Sequence, residues 1–245
     1  MVRNILITAG GTSEKIDEVR VISNFSSGRL GLAIAKAFLE SESAEAGKIF
    51  YLCDKNTIVP SDNRVEIVRV EGTQGLLDSL ENLLKTKKID AVIHAMAVSD
   101  YTVKQVTTMA AIKEGRENEP ESGLNEGKIS SEVEDLVIVL KKTPKVIGEI
   151  KKLQKDTILV GFKLLTNVEE DLLIETGFKL LQKNQCNMVL ANDLAEINGD
   201  QHVGYLISED GKYERFTTKK QIAEGIVKAI ENQLEKKENK EGKQQ

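Results

Sequence analysis

Tryptophan is absent from this chain, and cysteine, histidine and proline are scarce, with two, two and three copies. Cys53 and Cys186 stand alone in apolar, strand-like stretches with no C-x-x-C spacing. That argues against a disulfide framework or a cysteine-based metal site, and both read as reduced core residues of a cytoplasmic protein. His94 and His202 are too few for a histidine-based zinc site, and no Ser-His-Asp arrangement can be built from them. No run reaches the ~18 apolar residues of a membrane span, and the apolar stretch at 5–9 is too short for a secretion signal. An excess of positive charge is missing too. Lys+Arg 34 against Asp+Glu 39 leaves a net charge of −5, which argues against a broad nucleic-acid surface. Two phosphate-binding signatures are also lacking: a compact G-x-G-x-x-G after the first strand, and G-x-x-x-x-G-K-[ST].

What is present is alternation. A length of 245 residues can bury a substantial core. Strand patterns over 5–9, 48–53, 65–70, 91–95, 133–140, 157–162 and 187–191 alternate with helical patterns over 30–42, 73–85, 143–153 and 168–183. This predicts an α/β fold: a Rossmann-like, predominantly parallel sheet with helices on both faces. Strands over 203–208 and 213–217 flank Asp210-Gly211, a hairpin turn signal, and a helix over 219–236 closes the chain. Residues 1–236 read as one domain, and 237–245 as a polar, frayed tail. The rhythm breaks over 102–132, where Gly115, Pro120, Gly123 and Gly127 sit among many charges. A loop that long in a compact domain is commonly functional, so this segment is expected to be a protruding flap or arm.

The first 31 residues carry the densest signal. Apolar residues 5–9 suit a buried strand, and Gly10-Gly11-Thr12 ends it. About fifteen residues later, Ser26-Ser27-Gly28 opens a helix. Backbone N–H groups of the turn and the positive end of the helix predict a phosphate cradle. The plain alternative is a glycine turn followed by a serine-capped helix. Ligands of open α/β sheets bind beyond the carboxyl ends of the strands. Four clusters fall there: Gly10-Gly11-Thr12, residues 94–100, Gly161-Phe162-Lys163 and Ala191-Asn192-Asp193. Asp100 is a candidate ligand of a ribose or of Mg²⁺. Lys128, Lys142, Lys145, Lys179 and Lys183 are candidate phosphate contacts, and the last two share a helix face.

The chain resembles the phosphopantothenate–cysteine ligase family. The pattern I-T-A-G-G-T-x-E-x-I-D-x-V-R-x-I-x-N-x-S-S-G runs from Ile7 to Gly28. Further matches are Ala97-Val98-Ser99-Asp100-Tyr101, Lys142-Thr143-Pro144, Val160-Gly161-Phe162, Lys183-Asn184 and Ala191-Asn192-Asp193. The resemblance implies CTP-dependent joining of 4′-phosphopantothenate to L-cysteine, through an acyl-cytidylate, with Mg²⁺. It places Asn24 beside the intermediate and Lys128, on the flap, against the triphosphate or the intermediate. It gives nucleotide contacts to His94, Ala95, Met96, Asp100, Pro144, Lys145, Val146, Ile147, Phe162, Lys179 and Lys183. It also implies a stand-alone form and a homodimer whose arm reaches the neighbouring site. Lys163-Leu164-Leu165 is closer to a branch that uses ATP, which keeps ATP as the alternative nucleotide. A nicotinamide-dependent reductase would use Asp54 at the end of the second strand, but the glycine spacing is wrong for it. A non-catalytic nucleotide-binding protein would show no turnover at all.

Overall fold

In β1 (Arg3–Ala9), Ile5, Ile7 and Ala9 point to one face of a sheet and Leu6 to the other, and all are buried. Such a strand must lie between two layers of helix. The computed structural model describes residues 3–41, 46–116, 118, 123–124 and 127–241. After β1 come the short strands β2 (Ser13–Lys15) and β3 (Val21–Ser23), helix α1 (Arg29–Glu40), and strands β4 (Ala46–Cys53) and β5 (Val65–Arg69). Helix α2 (Gly72–Thr86), β6 (Ala91–His94), β7 (Tyr101–Thr108), α3 (Met109–Lys113) and β8 (Leu136–Lys142) follow. The second half holds α4 (Ile147–Leu153), β9 (Ile158–Leu165), α5 (Glu170–Asn184), β10 (Met188–Asp193), β11 (Ile197–Asn198), β12 (Gln201–Ser208), β13 (Tyr213–Thr218) and α6 (Lys219–Glu241).

The main sheet runs β11-β12-β10-β9-β6-β1-β4-β5, with β13 on β12. From β5 to β10 every pairing is parallel; β12 then returns antiparallel. From β1 the chain winds outward through β4 and β5, then reverses through β6, β9 and β10. This is the doubly wound order, and its switch point lies between β1 and β6. Ile34 and Phe38 of α1 join Ile222, Ile226 and Ile230 of α6 on one face. Leu76 and Leu80 of α2, Ile150 of α4 and Leu181 of α5 cover the other. Each such fully buried side chain contributes about 1.5–3 kcal/mol. The start of α2 is held from outside: Glu14 Oε1 accepts from Thr73 N at 2.8 Å and from Thr73 Oγ1 at 2.7 Å. No helix among the described residues is long and apolar enough to cross a membrane.

Several elements differ from the sequence reading: the short β2, β3, α3 and β11 were not expected, and β8 starts at Leu136 rather than at 133. The expected irregular arm begins with a regular strand, because β7 pairs antiparallel with β8 in a separate ribbon. Val103, Val106 and Ile138 are only half-buried, so the ribbon's pattern carries little periodicity. Gly115, Gly123 and Gly127 lie in the connection, and Pro120 is outside the described residues. Helix α4 starts at Ile147 and not at Thr143-Pro144. Thr143 is pinned beforehand, its N–H to Asp100 O at 3.1 Å and its hydroxyl to Ser99 O at 2.6 Å. Helix α6 extends to Glu241, past the expected end at 236, because its last turns are anchored. Lys237 Nζ donates to Asp156 O at 2.5 Å, and Glu238 pairs with Arg3 at 3.3 Å. Residues 242–245 lie outside the described part.

Candidate active site

Beyond the switch point the chain continues the sheet without strands. Ala97 N donates to Gly10 O at 2.8 Å, and Thr12 N to Ala97 O at 3.1 Å. Thr12 Oγ1 accepts from Ser99 N at 2.9 Å, and Asn24 Nδ2 donates to Ala97 O at 3.1 Å. Thr12 is therefore buried with its polar groups committed. The space beside Gly10 is filled by the chain itself. A Cβ on Gly10 would stand 2.1 Å from Thr57 Oγ1, and one on Gly28 would stand 2.4 Å from Thr57 Cγ2. Both glycines have positive φ, 85° and 75°. Thr57 thus plugs the space beside both glycines. Asp54 Oδ1 is likewise committed, accepting from Asn56 N at 2.9 Å.

A cavity of about 590 Å³ opens on the other side of the plug, across the tips of β6, β9, β10 and β12. The structure brings Asn24, Ser26, Ser27 and Gly28 to its wall, with His94, Ala95, Met96 and Asp100. Pro144, Lys145, Val146, Ile147 and Phe162 join them. Gly10, Gly11, Thr12, Lys128, Lys179 and Lys183 do not line it. The first three are turned into the frame just described. Lys179 pairs with Glu175 at 2.5 Å on the outer side of α5. Lys128 is exposed in the arm connection, which is fastened to the β2–β3 turn. There Ile129 N donates to Asp17 Oδ2 at 3.1 Å, Arg20 Nη2 to Ile129 O at 3.2 Å, and Glu18 N to Gly127 O at 2.9 Å. Burial pushes the Asp17 carboxyl up, but the N–H donors of Val19, Ile129 and Arg20 and the Arg20 charge outweigh it, so its pKa lies below the usual value.

The start of α1 brings helix N–H groups to the wall, a geometry that can receive an anion. Its N-cap is Gly28, with no side-chain cap, so neither Ser26 nor Ser27 satisfies the first N–H groups. Opposite, Asp100 Oδ1 and Lys145 Nζ form an exposed pair at 2.5 Å, which contributes little to stability and is easily reorganised. Burial holds the His94 imidazole down at about 4, so it is neutral near pH 7. Its Nδ1 lies 2.9 Å from Thr8 Oγ1, which also accepts from Met96 N at 3.2 Å. His94 and Thr8 therefore fix the main chain at Ala95 and Met96. Asp193 serves structure: its carboxylate accepts from Val168 N, Ala195 N and Asn167 N at 2.8, 2.8 and 3.0 Å. Its neighbour Asn192 is the one that reaches the cavity. Lys163, from the strand-end cluster expected there, also lines it, as do Arg29, His202 and Lys219, which were not singled out from the sequence. The charges looked like solvated surface, and no pattern marks a histidine at the head of an apolar strand.

Comparison with known proteins agrees with this architecture. The chain belongs to the DNA/pantothenate metabolism flavoprotein C-terminal domain family, whose model matches residues 1–125 and 120–234. It is 34% identical over 235 residues to the coenzyme A biosynthesis bifunctional protein CoaBC of Thermococcus kodakarensis, covering 95% of this chain and 52% of that protein. The chain spans about half the length of the curated relatives it matches. Among solved structures, the DNA/pantothenate metabolism flavoprotein of Streptococcus pneumoniae superposes with a TM-score of 0.82 at 35% identity, covering 94% of this chain and 99% of that one. The C-terminal domain of a CoaBC protein gives 0.70 at 28% identity, covering 96% of each.

Proposed function

We propose that this chain is a phosphopantothenate–cysteine ligase of coenzyme A biosynthesis that activates its acid with CTP. Family membership supports the class of reaction. The observation that carries the reading is a single cavity lined by Asn24, the uncapped start of α1 and the Asp100–Lys145 pair. A carboxylate is a poor acylating agent, so activation comes first. A carboxylate oxygen of 4′-phosphopantothenate attacks the α-phosphorus of CTP, the bond to pyrophosphate breaks, and an acyl-cytidylate forms. The amine of cysteine then attacks the acyl carbon, loses a proton, and CMP departs with the electron pair.

In this reading α1 receives phosphate oxygens at its free N–H groups. Phe162, Pro144 and Val146 offer an apolar slot for the base. Asn24 spends its Nδ2 on Ala97 and keeps its Oδ1 for the ligand. Asp100 is the one carboxylate on the described wall, and no three His, Cys, Asp or Glu side chains come together among the described residues. This suits Mg²⁺, which is commonly held by one or two carboxylates together with substrate phosphates. When bound, the ion supplies charge neutralisation for the phosphates. The protein works in the cytoplasm, in keeping with two buried free thiols.

We assign a homodimer to the β7–β8 ribbon. A two-stranded ribbon alone is marginal in water, and this one exposes Tyr101, Leu136 and Leu140. A second copy covers them and carries Lys128 to the neighbouring cavity. The test is pyrophosphate release with Mg²⁺, 4′-phosphopantothenate and cysteine, comparing CTP with ATP. Release with CTP and a product of amide mass is expected. Release with ATP alone would change the nucleotide, and release with neither would overturn the ligase.

A further inference from the structure

His202, at the head of β12, is 5% exposed, and neither ring nitrogen has a hydrogen-bond partner among the described residues. Buried polar groups are nearly always paired, because leaving them bare forfeits their hydration without return. A side chain kept here for packing alone would not need two such atoms. The ring lies at the cavity end of β12. Leu190 and Leu206 are opposite one another and belong to the core under α1 and α6. Alternation puts Gly204 on that same face, and an extra residue of β12 between Gln201 and Gly204 in its pairing with β13 re-aims the strand at His202. A Cβ on Gly204 would stand 3.2 Å from Ile222 Cδ1 of α6, as expected there. Because β12 is antiparallel, its start lies at the carboxyl edge of the parallel strands. His202 therefore forms part of the wall of the candidate active site.

The chemistry around it is cationic. Arg29 and Lys219 line both this cavity and the neighbouring groove of about 950 Å³ between α1 and α6, so they stand on the ridge between the two. Lys219 Nζ is steadied by Gly199 O at 2.5 Å. The groove side also carries Asp200. The uncapped start of α1 is part of the same wall. Burial, with help from the Lys219 charge, holds the ring at about 4, so it is neutral near pH 7 and presents one donor and one acceptor. From β6 to β12 there are three strand spacings, or about 14 Å. A molecule reacting near Asn24 and reaching His202 is extended and ends in an acceptor of hydrogen bonds.

We propose that His202 is a ligand-binding residue that, with Arg29 and Lys219, takes the phosphate-bearing end of a bound substrate. The inference rests on the ligase reading above, and that reading offers two phosphate sources: the polyphosphate of the nucleotide and the phosphate of the acyl substrate. Calorimetric titration of the wild-type protein, His202→Ala and His202→Gln separates them. The probes are CTP against cytidine, and 4′-phosphopantothenate against pantothenate; the members of each pair differ in their phosphates. We expect His202→Ala to weaken one phosphate-bearing ligand at least tenfold while its phosphate-free partner is unchanged. His202→Gln, which keeps a donor and an acceptor, should lose less. Loss on CTP assigns the site to the nucleotide, and loss on 4′-phosphopantothenate assigns it to the acyl substrate. Unchanged binding of all four ligands by both variants overturns the inference and leaves the ligase standing. So does an equal loss within each pair. Failure of the wild-type protein to bind either phosphate-bearing ligand overturns the ligase reading itself. If His202→Ala does not fold, His202→Gln alone decides by the same comparison.

Discussion

Replacing Gly28 with alanine should expose the Thr57 plug as an energetic feature. Gly28 sits at φ 75°, where an L side chain costs about 1–2 kcal/mol. The new Cβ would also meet Thr57 Cγ2 at 2.4 Å, well inside contact distance. Thr57 is buried and β-branched, so it cannot swing aside, and overpacking of that kind costs about 1–3 kcal/mol. The expected loss is about 2–5 kcal/mol, or roughly 4–20 °C in Tm for a chain of this length. Urea unfolding of Gly28→Ala, Thr57→Ser and the double variant separates the two parts. Serine lacks Cγ2, so the double variant should recover the overpacking part and keep the backbone part, a coupling of about 1–3 kcal/mol. A single-variant loss under about 0.5 kcal/mol would refute the reasoning, because neither strain nor clash would then exist. A large loss with no coupling would leave the backbone effect and remove the plug.

Asn24→Ala should lower turnover about 10²–10³-fold, as loss of one well-placed polar contact does, while CTP still binds; loss of CTP binding would count against its place beside the acyl intermediate. Lys128→Ala should cut turnover with Tm unchanged, since the side chain is exposed and supports no core; a large fall in Tm would contradict a flap role. The folded pKa of His94 lies near 4 against 6.5 unfolded, so the unfolded chain binds more protons between these values. Its contribution, about 3 kcal/mol, is present above pH 6.5 and lost as pH falls toward 4, and His94→Gln should flatten that part of the stability–pH curve. Asp17 is also lowered, so its share is present above the unfolded carboxylate value and lost in stronger acid. Asp17→Asn should therefore weaken the arm attachment at neutral pH, seen as faster amide exchange at Ile129, and no change there would undo the clamp.

Sequence made the central sheet legible where one pattern had one cause. Ile5, Ile7 and Ala9 against Leu6, or Leu76 and Leu80 along α2, are buried by layers that the sequence itself supplies. Strand β7 was not legible because a ribbon outside the main sheet leaves both faces mixed in character. The start of α4 was missed because Thr143 is fixed by carbonyls of residues 99 and 100, a constraint from outside the segment. At the site, residues of one loop separated by role. Asn192 faces the cavity while Asp193 is spent on three backbone donors. Nothing in Ala-Asn-Asp distinguishes the two. Thr57 was invisible for the same reason: it acts on Gly10 and Gly28, far away along the chain.

The dense motif from Ile7 to Gly28 is better understood as a frame than as a cradle. Gly10 and Gly28 accommodate Thr57, and Gly11 lets the Asn24 carbonyl approach to where a Cβ would meet it at 2.5 Å. Thr12 ties the switch-point loop, Glu14 caps α2, and Asp17 with Arg20 holds the arm connection. Asn24 and residues 26–28 are the part that reaches the cavity. A single segment thus couples β1, the loop after β6, helix α2 and the arm to the wall on which Asn24 sits. The cavity itself lies over the tips of β6, β9, β10 and β12. There the antiparallel return of β12 brings in His202 and Lys219, which a purely parallel sheet would not supply. The density of the motif follows from that coupling: one segment holds the wall in place, and most of the motif is that frame.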